Sequence, residues 1–286
     1  MQKLVKHIRD YLGLSQADFA EKLGVNFATV NRWENGRAIP TKLAQAKLYD
    51  YCKEQGVPVY RFVLDKIENE VKSVNLEDGR ILLYHGSKKG IHGEIAPISR
   101  SECDFGKGFY MGTAPLQPLT LVCSEEKPVF YTVELDLKDL KVLTVDIDMD
   151  WAMLIAYYRK EMEKAKGTAI YEKYAKMARG YDVIVGYIAN DRMYTELSRF
   201  FGRTLTDVAL INCLSALDLG KQYVAVSEKA CKQVKIVSEN PISYLELAVL
   251  KDMSVARRNE GIALAEEIEV KYRREGKYFD EILRGE

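Results

Sequence analysis

The sequence predicts a two-domain protein. An all-α unit fills residues 1–57, and an α+β unit with a helical C-terminal extension follows a short connector. Three observations predict this division. In the first stretch apolar residues recur at helical spacing, broken by Gly24, Gly36 and Pro40. In residues 81–240, short β-branched and aromatic runs alternate with helical patterns. In residues 241–286, Leu245, Leu247, Leu250 and Met253 form an apolar stripe among Glu, Lys and Arg.

The bulk properties exclude several classes. A chain of 286 residues is long enough for a sizeable core in about two domains. Lys plus Arg and Asp plus Glu balance at 42 each, so the whole chain is not a generic polyanion binder. Met1–Asp10 lacks the apolar segment of a secretory leader, and no apolar run approaches the ~20 residues of a membrane span. Cys52, Cys103, Cys123, Cys213 and Cys231 are odd in number and form no CxxC pair. That pattern predicts reduced thiols, a cytoplasmic location and no metal site.

The N-terminal elements follow in order. Leu4, Ile8 and Leu12 mark one helical stripe. Ser15 is a suitable N-cap for Gln16–Leu23, with Phe19, Ala20 and Leu23 inward. Gly24 ends that helix, and Asn26 caps Phe27–Glu34, whose Val30 and Trp33 point inward. Lys42–Glu54 is a further helix. Two short helices joined by a glycine turn, with another packed across them, predict a helix-turn-helix. The segment LSQADFAEKLGVNFATVNRWENGRAIP resembles the DNA-binding domain of the phage Cro and CI repressors and their bacterial relatives (the XRE family). That resemblance implies that residues 26–34 form the recognition helix. Phe27, Ala28, Asn31 and Arg32 would then face the major groove, and Gln16 would contact backbone or base. Residues 1–55 hold nine Lys/Arg against six Asp/Glu, a modest excess that predicts weak binding by one copy. Repressor-like domains usually act as dimers on paired half-sites, so a homodimer is expected.

Residues 58–80 read as a helix followed by the charged connector ENEVKSVNLEDGR, without a Gly/Ser linker. In residues 81–240 strands are predicted at Ile81–Tyr84, Gly108–Met111, Val129–Leu137, Lys141–Val145, Asp182–Ile188, Gln222–Ser227 and Val234–Val237. Helices are predicted at Pro115–Ser124, Trp151–Arg179, Asp191–Phe201 and Leu205–Leu217. The helices of residues 241–286 read as a cap with a solvated face, or else as a partner-binding arm.

The chemistry concentrates in ILLYHGS (Ile81–Ser87) and DFGKGFYMGT (Asp104–Thr113). A buried-looking strand ends in His85 beside Gly86, which lets a ligand approach the backbone. A glycine-flanked turn then delivers Tyr110. These groups suit a flat aromatic ligand, held by glycine backbone and stacked on an aromatic. Singly, each has a plainer reading: His85 as a hydrogen-bonded strand end, Tyr110 as core, the glycines as turn geometry. Together, YHGS and FGKGFYMGT resemble the first two motifs of the ADP-ribosyltransferase superfamily, in the His-Tyr-Glu branch of diphtheria-type toxins and poly(ADP-ribose) polymerases. The late strand QYVAVS stands where that family's third motif belongs. The resemblance implies a split-sheet α+β fold and NAD as cofactor. His85, Tyr110 and Gln222 would be its catalytic residues, and His85, Gly86, Ser87, Gly108 and Tyr110 its cofactor contacts. Gln222 departs from the family's glutamate: it keeps a hydrogen bond and loses the charge. Asp104, Glu102 and Glu228 are the candidate carboxylates to supply it. Elongation into poly(ADP-ribose) is not expected.

Asn190, Asp191 and Arg192 follow the strand DVIVG and read as a helix start, with a cleft-lining role as the alternative. Tyr157, Tyr158, Arg159 and Lys160 read as ordinary amphipathic surface. The implied activity is mono-ADP-ribosyl transfer from NAD, by a toxin of a toxin–antitoxin or phage-defence operon held by a cognate antitoxin. The alternative is a transcription regulator that senses NAD or ADP-ribose without turnover. The acceptor has no readable code.

Overall fold

The computed structural model describes every residue except 73, 190–191, 217–218 and 285–286. The first unit comprises α1 (Gln2–Tyr11), α2 (Gln16–Leu23), α3 (Phe27–Glu34) and α4 (Lys42–Glu54). Ser15, Asn26 and Thr41 each accept a hydrogen bond from the backbone N–H three residues on, so local chemistry starts three of these helices. Gly24 ends α2 at a φ of 65°, the left-handed region that favours glycine. Leu4, Ile8, Phe19, Leu23, Val30, Trp33 and Leu48 close the core. α5 (Val59–Val71) belongs to both units: Val59 enters this core, whereas Val63 and Ile67 pack with Tyr84, Leu119 and Phe130.

The second unit runs β1 (Arg80–Ser87), β2 (Phe109–Gly112), α6 (Leu116–Val122), β3 (Val129–Asp136) and β4 (Val142–Thr144). α7 (Met149–Tyr158), α8 (Ala169–Met177), β5 (Val183–Tyr187), α9 (Met193–Phe201) and α10 (Asp207–Leu214) follow. β6 (Lys221–Ala225), α11 (Glu228–Lys232), β7 (Val234–Pro241), α12 (Tyr244–Tyr272) and α13 (Phe279–Arg284) complete the chain. The strands form one mixed sheet in the order β4-β5-β6-β2-β1-β3-β7, in which β4 and β5 run parallel. Its two halves are firmly laddered internally, β1 pairing with β3 from Arg80 to Ser87 and β2 with β6 from Phe109 to Gly112. Between the halves, β1 meets β2 at the single register pair Tyr84↔Gly112.

Side chains alternate across this sheet. One face carries Leu83, Phe109, Met111, Tyr131, Val133, Val183, Val185 and Ala225, covered by α11. The opposite face carries Ile184 and Val224 under α7, α9 and α10, and Tyr84 and Phe130 under α5 and α6.

Three expectations change. The helix expected over residues 151–179 is two helices separated by a 3-10 turn at Glu163–Ala165. Lys160 sits at a φ of 63° and Gly167 at 85°, and Thr168 then caps α8, so the chain reverses where apolar spacing alone reads through. The strand expected to Ser227 stops at Ala225, because Ser227 caps the short α11. The extension does more than cover one face. Ser243 and Glu246 form a capping box at the start of α12. Leu245 then enters the first unit's core, while Ala265 lies at α10, where its carbonyl accepts from the Cys213 thiol. Among the described residues no helix is long and apolar enough to cross a membrane. The expected helix start at Asn190 and Asp191 lies outside the described residues.

Candidate functional site

His85 lies in β1 at the junction of the two half-sheets; the strand, expected to end there, runs on to Ser87 because β3 continues the ladder. Its Nδ1 lies 2.7 Å from the carbonyl oxygen of Tyr110, across the gap where the β1–β2 ladder has stopped. A ring nitrogen that close to a carbonyl must carry the proton. Burial pushes this imidazole below its ordinary pKa, and the Tyr110 carbonyl only partly opposes that. The ring is therefore neutral at pH 7, with Nδ1 as donor and Nε2 as a lone-pair acceptor. It stacks on Phe109, centroids 4.2 Å apart, and Tyr131 lies 6.3 Å away.

Tyr110 and Gln222 lie on the other face. By register, Tyr110 opposes Val224, and Gln222 opposes Gly112 on one side and Gly186 on the other. His85 therefore meets Tyr110 through its backbone, not its ring, and the three side chains approach one junction from two sides of the sheet. The Tyr110 hydroxyl donates to the Gly106 carbonyl at 2.7 Å and accepts from the Phe105 N–H at 3.0 Å. It clamps the glycine turn from within. Burial, followed by the Asp104 carboxylate, pushes the phenol well above its ordinary pKa, so it stays protonated.

Gln222 is buried, and its Nε2 donates to Asp104 Oδ2 at 2.8 Å and to the Tyr187 carbonyl at 3.4 Å. Asp104 Oδ1 in turn accepts from Arg159 Nη2 at 2.5 Å and Nε at 3.1 Å. Arg159 also donates to the Tyr194 hydroxyl at 2.6 Å, with its guanidinium over that ring. Trp151 Nε1 donates to the same Tyr187 carbonyl that Gln222 uses.

The remaining expected contacts are mostly engaged within the fold. Ser87 Oγ donates to the Gly90 carbonyl at 3.0 Å, closing the loop after β1. The Gly108 N–H donates to Ser99 Oγ, and a Cβ on Gly108 would lie 2.3 Å from Val224 Cγ1, so this glycine serves close strand packing. A Cβ on Gly86 would lie 2.4 Å from the Pro118 carbonyl of α6. α6 therefore closes the approach to Gly86 from that face of the sheet. Of the three neighbouring carboxylates, Glu102 pairs with Lys160 at the surface and Glu228 opens α11, whereas Asp104 joins Gln222. Arg159 and Tyr194 had no signal as site residues, because Arg159 lies 55 residues from its partner Asp104 and Tyr194 a further 35 from Arg159.

The helix-turn-helix presents a second surface. Phe27, Ala28 and Arg32 of α3 are exposed, and Asn31 and Gln16 are half-buried beside them. Glu34 takes a bidentate hydrogen-bonded pair from Arg9 at 2.6 and 3.0 Å and a bond from Gln16 Nε2 at 2.7 Å. Gln16 Oε1 accepts from Asn31 Nδ2 at 3.1 Å. This chain of bonds ties α1, α2 and α3 together and holds Gln16 beside Asn31. α12 packs on α4 and α5, which leaves this surface open.

A family model described as "Protein of unknown function (DUF3990)" matches residues 81–236, just over half the chain. A model described as "Helix-turn-helix" matches residues 5–44. No curated protein and no solved structure matches the chain significantly.

Proposed function

The chain belongs to the family described as "Protein of unknown function (DUF3990)" through residues 81–236, and we propose that in this chain that domain is an NAD-dependent mono-ADP-ribosyltransferase governed by a DNA-binding helix-turn-helix. One observation carries the reading. A neutral histidine, its Nδ1 consumed by the Tyr110 carbonyl, points a lone pair from the place where two half-sheets part. An acceptor nitrogen beside open strand backbone suits a dinucleotide, with Nε2 taking a ribose hydroxyl and the Gly86 backbone taking the nicotinamide carboxamide. Gln222 Oε1 takes no hydrogen bond from any described residue and is left for the other ribose.

In this reading the C1′–N bond of NAD breaks and its electron pair leaves on neutral nicotinamide. The oxocarbenium-like C1′ then bonds to an acceptor nucleophile, which loses a proton. No strong acid is required, so holding and orienting the two riboses is the main task of the protein. The pairing with a repressor-like domain fits a toxin that regulates its own promoter and is held by a companion antitoxin. A sensor of NAD or ADP-ribose without turnover is the second reading, favoured by the uncharged Gln222.

Incubation of the purified chain with NAD labelled in the adenine half tests this. Release of nicotinamide and label on protein or nucleic acid are expected, with loss of both in His85→Ala. NAD binding without release selects the sensor. Absence of binding refutes both readings.

A further inference from the structure

The orientation of the Gln222 side chain is fixed by its neighbours. An amide has one donor end and one acceptor end. Asp104 Oδ2 and the Tyr187 carbonyl, both acceptors, lie 2.8 and 3.4 Å from the same nitrogen. The nitrogen must face them, and Oε1 must face away. A glutamate at position 222 would instead bring a carboxylate oxygen against two acceptors. Glutamine is thus the residue the surroundings demand, because the acid stands one residue further back. Asp104 is 8 % exposed and Gln222 is 6 % exposed, so little water screens the pair. Arg159 holds the other Asp104 oxygen and prevents it from turning away.

Resting on the transferase reading above, we propose that Asp104 is a positioning residue of the site: it orients and polarises Gln222, so that the Asp104–Gln222 pair does the work of one glutamate. A carboxylate accepting from an amide N–H makes that amide's oxygen a stronger acceptor. Gln222 Oε1 would accept the 2′-hydroxyl of the nicotinamide ribose, and the Asp104 charge would be felt at C1′ through the amide.

A swap of the two functional groups tests this. Asp104→Asn and Gln222→Glu should each lower kcat for nicotinamide release by about 100-fold, the size of losing one electrostatic group. Asp104→Asn/Gln222→Glu restores a donor facing an acceptor and puts the charge at residue 222. Its kcat should recover to within about tenfold of the parent, far above the product of the single losses. Arg159 remains without its carboxylate in the double variant, so recovery cannot come from repair of the ion pair. Thermal melts verify that all three variants fold. If the double variant is as poor as the product of the singles, or Asp104→Asn keeps full kcat, the proposal is overturned. If the parent itself neither binds NAD nor releases nicotinamide, the transferase reading fails first and takes this proposal with it.

Discussion

Gly86 and Pro118 meet so closely that a Cβ added to the glycine would lie 2.4 Å from the proline's carbonyl oxygen. The contact is backbone to backbone, so no rotamer change relieves it. Any side chain at residue 86 pushes α6 away from the sheet. Gly86→Ala should therefore destabilise the fold by about 1–3 kcal/mol, as overpacking does. Gly112→Ala is the control, because its nearest contact would be an ordinary 3.5 Å. Thermal denaturation of the two variants should show a clear drop for the first and a small shift for the second. Equal shifts would refute the close contact.

His85 makes a prediction about pH. Its folded pKa lies below the ordinary value of about 6.5, because burial disfavours the charged form. Just below that value the unfolded chain binds the proton and the folded chain does not, so stability rises with pH there. The contribution is fully present above the unfolded pKa and is lost as pH falls through it, down to the folded pKa. His85→Phe keeps the stack on Phe109 but cannot titrate. Urea unfolding of both proteins between pH 5 and 8 should give a difference in stability that grows with pH in favour of the parent. NAD binding should hold through that range and weaken only as pH falls through the folded pKa, because protonated Nε2 no longer accepts a hydroxyl. A flat difference would mean that the ring is charged or solvated.

Tyr110 separates anchoring from chemistry. Its hydroxyl accepts from the Phe105 N–H and donates to the Gly106 carbonyl. Tyr110→Phe strands a buried N–H and should cost about 1–3 kcal/mol. Because the ring remains, NAD affinity should change less than stability does. Isothermal titration beside a thermal melt measures both. A large loss of affinity without destabilisation would instead make the hydroxyl a ligand contact.

Much of this was readable in the chain because the deciding contacts are local. Ser15 and Asn26 cap helices through bonds three residues long, and Gly24 announces its own left-handed turn. The site was readable only as motifs. His85 and Tyr110 lie 25 residues apart in two strands and meet through the Tyr110 carbonyl. That they lie on opposite faces depends on the Tyr84↔Gly112 register, which no local pattern encodes. The bond from Gln222 to Asp104 spans 118 residues and the one from Arg159 to Asp104 spans 55, so neither spacing nor periodicity reveals them. Arg159 resembled surface because the turn at Lys160, a non-glycine residue at positive φ, has no sequence signature.

The thiols offer a test of packing independent of any ligand. Burial pushes Cys52 and Cys213 up to about 12 and Cys231 to about 11, and raises Cys123 as well. Cys103 alone is partly exposed, in the turn beside Asp104. The thiolate is the reactive form, so Ellman's reagent at pH 8 should modify one thiol rapidly and all five only in denaturant. Cys103→Ser should abolish the fast phase. A fast phase that survives would show a second thiol open to solvent.

The helix-turn-helix separates two kinds of loss. Glu34 and Arg9 form a pair with side chains only 4 % and 14 % exposed. Burial opposes the charge on Glu34, but its bonds from Arg9 and Gln16 outweigh that and hold its pKa below the ordinary value. Glu34→Ala leaves Arg9 with only Asp10 and the Leu14 carbonyl and frees Gln16, which should cost about 1–3 kcal/mol and weaken DNA binding by loosening α3 against α2. Arg32 has its side chain in solvent and bears no such load. Arg32→Ala should leave the melting temperature within error and weaken DNA binding by about 1–3 kcal/mol if it reads a base. If it touches only phosphate, the slope of log affinity against log salt should fall by about one unit while sequence preference is unchanged. Fluorescence anisotropy on the chain's own promoter and on unrelated duplex, each over a salt series, distinguishes these results. Undiminished binding by Arg32→Ala to both duplexes would remove this face of α3 from the DNA contact.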